Sequence, residues 1–409
     1  MLNKNKEREL AYVTIVDAVT PIEGYDRVEL AHVGGWTVVV GKNEFHAGDP
    51  AIYFEIDSKL PEVEPFINME FLVKKHYKIK TQKMCRSLSQ GLLMSAENFG
   101  WQIVKGDDCA IVDNEGNYHR VNDESRFLTK QLGITYAVAE DNKRKASNNP
   151  NAKINSALAR HPKIAKKYGK FIKNHKFAKW LFLLMCGDRR DKKSDWPAWV
   201  KKTDEERIQN MPWILNDKEP WVATEKIDGT STTFTMKRGK WFHKDEFYVC
   251  SRNVVFNKPD KTCFYDTNVY IEMAEKYDIY NKMKDLLYNH FADCEWITIQ
   301  GETYGPGIQK RDYHAPEHDF MAFNFITSKD GRWGTEKMVD LLQKHIGIPC
   351  VPVLDTNFIL PDTVEELLTY ATAESVCDHD LREGIVFRSK DGSKSFKAVS
   401  NEYLLAYHQ

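Results

Sequence analysis

The chain has 409 residues, 42% of them hydrophobic and 29% charged, with a formal net charge of -1. That length exceeds the size at which one hydrophobic core stops growing, so two domains are expected, and the composition excludes a disordered or fibrous polymer. Eight cysteines without one C-x-x-C pair argue against a zinc ribbon and against a disulfide scaffold. The opening MLNKNKERELAYV lacks the apolar core of a signal peptide, and the longest aliphatic run, WLFLLMC at 180–186, is too short to cross a bilayer. A reducing, cytoplasmic location without membrane attachment is therefore expected.

In chain order, residues 9 to about 113 read as short strands: AYVTIVDAV, RVELAHV, GWTVVVG, PAIYFEIDS after the turn His46-Ala47-Gly48-Asp49, then GLLMS and CAIVD. Their alternation of β-branched and aromatic residues, punctuated by Gly and Asp, predicts a small antiparallel barrel of the OB type. From about 120 to 215 the texture turns helical, first in KQLGITYAVAEDN and then in a lysine-rich stretch where Ile164, Tyr168, Phe171, Ala178 and Phe182 recur at near-helical spacing. After Trp221 strands return between helices such as VYIEMAEKYDIYNKMKDLLYNHF, so the fold class is α+β. The expected organisation is an OB-type domain at 1–120, a basic helical linker or insert at 121–215 and a second domain at 216–409.

Charge is unevenly distributed. Residues 142–202 hold 18 Lys+Arg against 3 Asp+Glu, a surplus of +15, which leaves 40 against 56, or -16, for the remainder. A basic belt between two acidic bodies can neutralise phosphates and release counterions, as nucleic-acid binders do, although a charge run alone is as often a solvated helical face.

The most informative stretch is WVATEKIDGTSTTFTM at 221–236. A strand there delivers Lys226 and Asp228 to one side, and Gly229 permits a turn. Lysine, with a pKa near ~10.4, is protonated at neutral pH and cannot attack phosphorus unless burial, neighbouring cations or a bound metal releases its amine. The pattern K-x-D-G alone arises by chance in roughly one chain in ten of this length. Four further regions sharpen it: SRN at 251–253, QGETYGPGIQK at 300–310 with HDFMAFNFI at 318–326, REGIVFRS at 382–389, and SFKAVS at 395–400.

With Lys226, these segments resemble in their order the motifs of covalent nucleotidyltransferases, the ATP-dependent ligases and mRNA capping enzymes. The stretch from Thr20 to Glu62 in turn resembles the OB domain of the fifth RNA ligase family, in which that domain precedes the nucleotidyltransferase domain. Only NEYLLAYHQ follows the last motif, where DNA ligases and capping enzymes carry their OB domain.

The resemblance implies an ATP-dependent RNA ligase that uses Mg²⁺ or Mn²⁺. Lys226 becomes the site of adenylylation, preceded by Glu225 in the nucleotide pocket. Asp228, Glu302 and Glu383 become the carboxylates that organise the metal and its waters, Glu302 also reaching toward the ribose. Phe323 corresponds to the aromatic that stacks on adenine, Arg252 to an arginine that grips a phosphate or ribose, and Lys397 to the lysine at the α-phosphate. Arg207, in TDEERIQN, is a weaker candidate for the β- and γ-phosphates. The pattern departs from many relatives at Val399, where a second lysine is usual, so Lys394 or another base substitutes or the role is absent.

Taken singly, each residue has a structural alternative: the glutamates as exposed strand ends, Phe323 as a core aromatic, Arg252 as a surface ion-pair partner. Their joint order is what is improbable. His314 and His318 lie four apart, but Pro316 opposes the helix that would pair them on a metal. Trp36, Tyr53 and the Lys74–Lys83 stretch are candidate RNA contacts on the barrel. The rival expectations are a capping-type guanylyltransferase, or a catalytically idle RNA-binding scaffold. The expected partner is RNA with nicked or broken ends, alone or in duplex, and a monomer is expected.

Overall fold

A computed structural model describes residues 1–104, 109–137, 162–176, 178–179, 182, 196–239, 244–256 and 268–407. Among the described residues its N-terminal part has three three-stranded antiparallel sheets and two two-stranded ones, and two of the three-stranded sheets carry the main core. One orders strands Ala11–Ile15, Pro50–Phe54 and Leu92–Met94, and the other orders Ala18–Ile22, Tyr25–Val33 and Trp36–Gly41. Strand Pro50–Phe54 is buried along its whole length because each face has its own core. Ala51 and Tyr53 point among Trp36, Val38 and Val40, while Ile52 and Phe54 meet Phe66, Leu72 and Trp101.

This packing overturns one expectation. Trp36 and Tyr53 are 1% and 0% exposed, so neither can stack on a base. The alternation that marks a strand also directs its large aromatics inward. The stretch around Lys130–Ala137 is likewise not helical: Gly133 takes φ +64°, and Thr135–Tyr136 pairs with Ser58–Lys59 instead. A left-handed residue ends helical propagation.

Residues 137–198 form a separate compact unit. Its described part centres on helix Pro162–Asn174, in which Ile172 is buried while Tyr168 and Phe171 are exposed. Most of the basic belt, and the run WLFLLMC apart from Phe182, lie outside the described residues.

The C-terminal part belongs with the barrel in one compact unit and contains two larger sheets. A six-stranded sheet runs in the order 255–256, 246–250, 230–237, 296–304, 319–327, 331–332, and a four-stranded sheet in the order 353–358, 221–225, 384–389, 395–399. Each sheet has a separate core on one face. Phe234, Ile297, Ile299 and Phe325 pack with Val269, Met273 and Met283 from helices Val269–Lys276 and Ile279–Asp285. Trp221, Ala223, Ile385, Phe387, Phe396 and Ala398 pack with Leu367 and Ala371 of helix Val364–Ala371. By the period of two, the opposite faces are left to Thr224, Val386, Arg388 and Lys397 on one sheet and Ser231 and Glu302 on the other.

Barrel and sheets meet at specific points. Leu88 of the barrel clusters with Val399 and Leu404, and Gly35, at φ +81°, sits where a Cβ would lie 2.4 Å from Val364. Among the described residues no helix is long and apolar enough to cross a membrane.

Candidate active site

Between the two sheets lies a cavity of about 320 Å³, lined by Lys226, Glu302, Arg252, Phe323, Arg388 and Lys397 among others. That volume is at the lower end of ligand sites, roughly 300–1,000 Å³. Lys226 follows strand Trp221–Glu225 directly, and its N–H donates to the Gly384 carbonyl at 3.0 Å. This ties it to the residue after Glu383. The Lys226 Nζ donates to Glu383 Oε2 at 2.5 Å. Gly384 is required because a Cβ there would lie 2.2 Å from the Ala398 carbonyl, and Arg382 fixes the same corner by donating to the Ala371 carbonyl at 2.9 Å.

The electrostatics of this group follow from crowded carboxylates around one amine. Burial works to lower the Lys226 pKa, but Glu383, Glu302 and Asp228 outweigh it, so the ammonium is held more firmly than in free lysine. Glu302 shows the opposite face of the same crowding: burial, reinforced by Glu383 and Asp228 and opposed by Lys226, pushes its carboxyl up to about 8. Lys397 is brought down to about 8 by burial and by the charges of Lys226 and Arg207.

Asp228 is not delivered by a continuous strand as the alternation suggested, yet its charge still acts on Lys226 and Glu302. The strand stops at Glu225, and the Asp228 carboxylate accepts from the Tyr403 hydroxyl at 2.7 Å while its N–H donates to the Tyr313 oxygen at 2.7 Å. Gly229 serves close approach rather than a left-handed turn, for a Cβ there would lie 2.3 Å from the Thr303 carbonyl.

Phe323 reaches the cavity through a β-bulge. Gln300 pairs with Asn324 and Gly301 with Ala322, so Phe323 is the extra residue. It shifts the phase of its strand, with Phe320 and Ala322 facing the core before it and Phe325 after. Lys397 faces the cavity between Phe396 and Ala398, which point to the core. Arg252 lies at the rim, paired with Asp204 Oδ2 at 2.7 Å. Glu225 lines the cavity, but its carboxylate accepts from the Ser375 hydroxyl and, at 2.9 Å, from the Val376 N–H.

Arg207 is not among the cavity-lining residues. Its backbone bridges to Lys397 and its guanidinium stands 5.6 Å from the centre of the Trp36 ring. Lys394 pairs with Asp217 at 2.7 Å, away from the cavity, and Val399 is spent on the packing with Leu88. His314 and His318 are not brought together: one meets Asp380, the other Glu272 and the Pro306 carbonyl.

Several contributors escaped the sequence. Arg388 is 2% exposed, donates to Thr224 Oγ1 at 3.3 Å and to Glu205 at 3.4 Å, and its Nε is buried without a hydrogen-bond partner. Its signal was a charge on the cavity-facing phase of an otherwise apolar strand. Tyr403 and Tyr313 gave none, since each acts across long sequence separations.

Residues 219–399 match the RNA ligase family model, and residues 10–96 match a model of an OB-fold domain. Among solved structures, a Naegleria gruberi RNA ligase with PPi is similar at 25% identity and a TM-score of 0.60, covering 97% of this chain and 98% of that one. Variants of the Naegleria enzyme with AMP and Mn, and with ATP and Mn, each match at 25% identity and a TM-score of 0.61, over 98% of this chain and 99% of theirs. The comparison with curated proteins gave no match. Residues 219–399 therefore belong to the RNA ligase family and follow an OB-fold domain, so the chain is an RNA ligase with the domain order expected from its sequence.

Proposed function

We propose that this ligase uses ATP and a divalent cation, Mg²⁺ or Mn²⁺, and carries AMP on Lys226. The Lys226 amine attacks the α-phosphorus and pyrophosphate leaves; the AMP then passes to the 5'-phosphate of an RNA end, freeing the lysine; a 3'-OH attacks that activated phosphate and AMP departs. The observation that carries this reading is the Lys226–Glu383 pair, 2.5 Å apart, beside a cavity that also holds Glu302, Lys397 and Phe323.

The donor set fits a hard cation. Asp228, Glu302 and Glu383 offer only oxygen, the ligand type Mg²⁺ and Mn²⁺ take, and burial leaves Glu302 without a settled negative charge. When bound, such an ion supplies positive charge that lowers the lysine pKa and balances charge on the phosphates. Glu383 holds the Lys226 amine in place before reaction. Lys397 faces charge that grows on the α-phosphate, and the unbonded Arg388 Nε offers a further donor to an anion. Phe323 provides the stacking face for adenine, Glu302 reaches the ribose, Glu225 lies in the nucleotide pocket, Arg252 exchanges Asp204 for a phosphate or ribose, and Arg207 supports the β- and γ-phosphates beside Lys397.

The substrate is RNA with a 3'-OH and a 5'-phosphate at a nick or break, in single strands or in duplex with RNA or DNA, and the physiological role is repair. The domain at 1–120 orients the RNA, 121–215 forms the basic linker and 216–409 performs the chemistry. Helix Pro162–Asn174, with exposed Tyr168 and Phe171 among lysines, supports RNA contact by the linker, where phosphates meet positive charge and bases meet rings. The enzyme acts as a cytoplasmic monomer, and the free cysteines among the described residues agree with a reducing location.

Lys226→Ala tests the reading. The variant is expected to fold, to bind RNA, and to lose all labelling by α-phosphate-labelled ATP; retained labelling would refute the nucleophile.

A further inference from the structure

Helix Asn401–Tyr407, with Ser400 just before it, contacts three other parts of the fold. Leu404 packs on Leu88 of the barrel, and the Leu405 carbonyl accepts from Lys83 Nζ at 3.2 Å. At its start, the Ser400 N–H donates to the Glu383 carbonyl at 2.9 Å, and the Ser400 hydroxyl accepts from the Tyr403 N–H at 3.1 Å. Tyr403, 0% exposed, then delivers its hydroxyl to Asp228 Oδ2 at 2.7 Å. The ring is fixed from beneath by Arg311, whose guanidinium is 4.4 Å from the Tyr313 ring centre and 5.6 Å from that of Tyr403, and which is itself clamped by Asp378 and the Leu381 carbonyl.

We infer that Tyr403 is a positioning residue that presents the Asp228 carboxylate to the divalent cation. This rests on the metal role assigned to Asp228 under Proposed function. The hydroxyl occupies one carboxylate oxygen and leaves the other to face metal-bound water. The Tyr313 oxygen, accepting from the Asp228 N–H, fixes the backbone beneath it. Without that hold, Asp228 is free to turn toward the Lys226 ammonium, as Glu383 already does. Groups that orient metal-organising carboxylates are worth roughly 10–100-fold in metal affinity.

The test measures Mn²⁺ binding to the full chain by electron paramagnetic resonance, in the presence of a non-hydrolysable ATP analogue, with circular dichroism as the check on folding. Tyr403→Phe is expected to bind Mn²⁺ about 10-fold more weakly. It should also require correspondingly more Mn²⁺ for lysine adenylylation, with the KM for ATP at saturating Mn²⁺ unchanged. In an Asp228→Asn background the same substitution should add no further loss. Unchanged Mn²⁺ affinity in Tyr403→Phe while Asp228→Asn is weakened overturns this inference alone; so does loss of the fold in Tyr403→Phe, or additive effects in the double variant. Unchanged affinity in Asp228→Asn overturns the metal reading beneath it.

Discussion

At the scale of single residues, the site is a set of charges that oppose one another until a ligand arrives. Glu302, with its ordinary value near 4.5 raised to about 8, binds a proton in the folded chain that it releases on unfolding. Between those values the native state holds more protons than the unfolded state, so this group makes stability fall as pH rises through that window. Thermal unfolding of the metal-free enzyme across pH 5 to 8 is expected to show that decline, and Glu302→Gln to flatten it. Phe323→Ala should raise the KM for ATP by about 10-fold with little change in kcat at saturation, in line with roughly 1–3 kcal/mol for stacking on one base. Initial rates of lysine adenylylation against ATP concentration measure that split.

At the scale of elements, the strands were legible because alternation of two is a strong local signal, and Lys226, Glu302, Glu383 and Lys397 lie on or directly beside strands 221–225, 296–304, 384–389 and 395–399. Three features were hidden. The bulge that aims Phe323 exists only as a register between two strands. Trp36 and Tyr53 looked like a stacking surface because a period of two tells which residues share a face but not which face is solvent. Asp228 was expected on the same strand as Lys226, but that strand stops at Glu225, where Lys226 bonds through its N–H to the Gly384 carbonyl. Gly229→Ala tests the close approach inferred here: with Thr303 O at 2.3 Å from the new Cβ, the catalytic loop must shift. Overpacking of this kind costs about 1–3 kcal/mol, and the expected result is a lowered melting temperature with adenylylation slowed more than 10-fold.

At the scale of the whole molecule, the barrel is seated on the sheets rather than tethered near them. Gly35 against Val364, Leu88 against Leu404 and Arg207 over Trp36 join them around Lys397 and the C-terminal helix. Val399 illustrates what the sequence could not disclose: a position read as a missing lysine is occupied by a packing contact between domains. Replacing Gly35 by Val adds a side chain at φ +81° into Val364, and sealing of RNA should fall together with thermal stability. The most direct trial of the central claim is to incubate the enzyme with ATP and Mn²⁺, digest it, and map the nucleotide-bearing peptide by mass spectrometry. An AMP adduct on Lys226, formed with ATP and not with GTP, is the predicted result; an adduct on another lysine, or one formed from GTP alone, would contradict it.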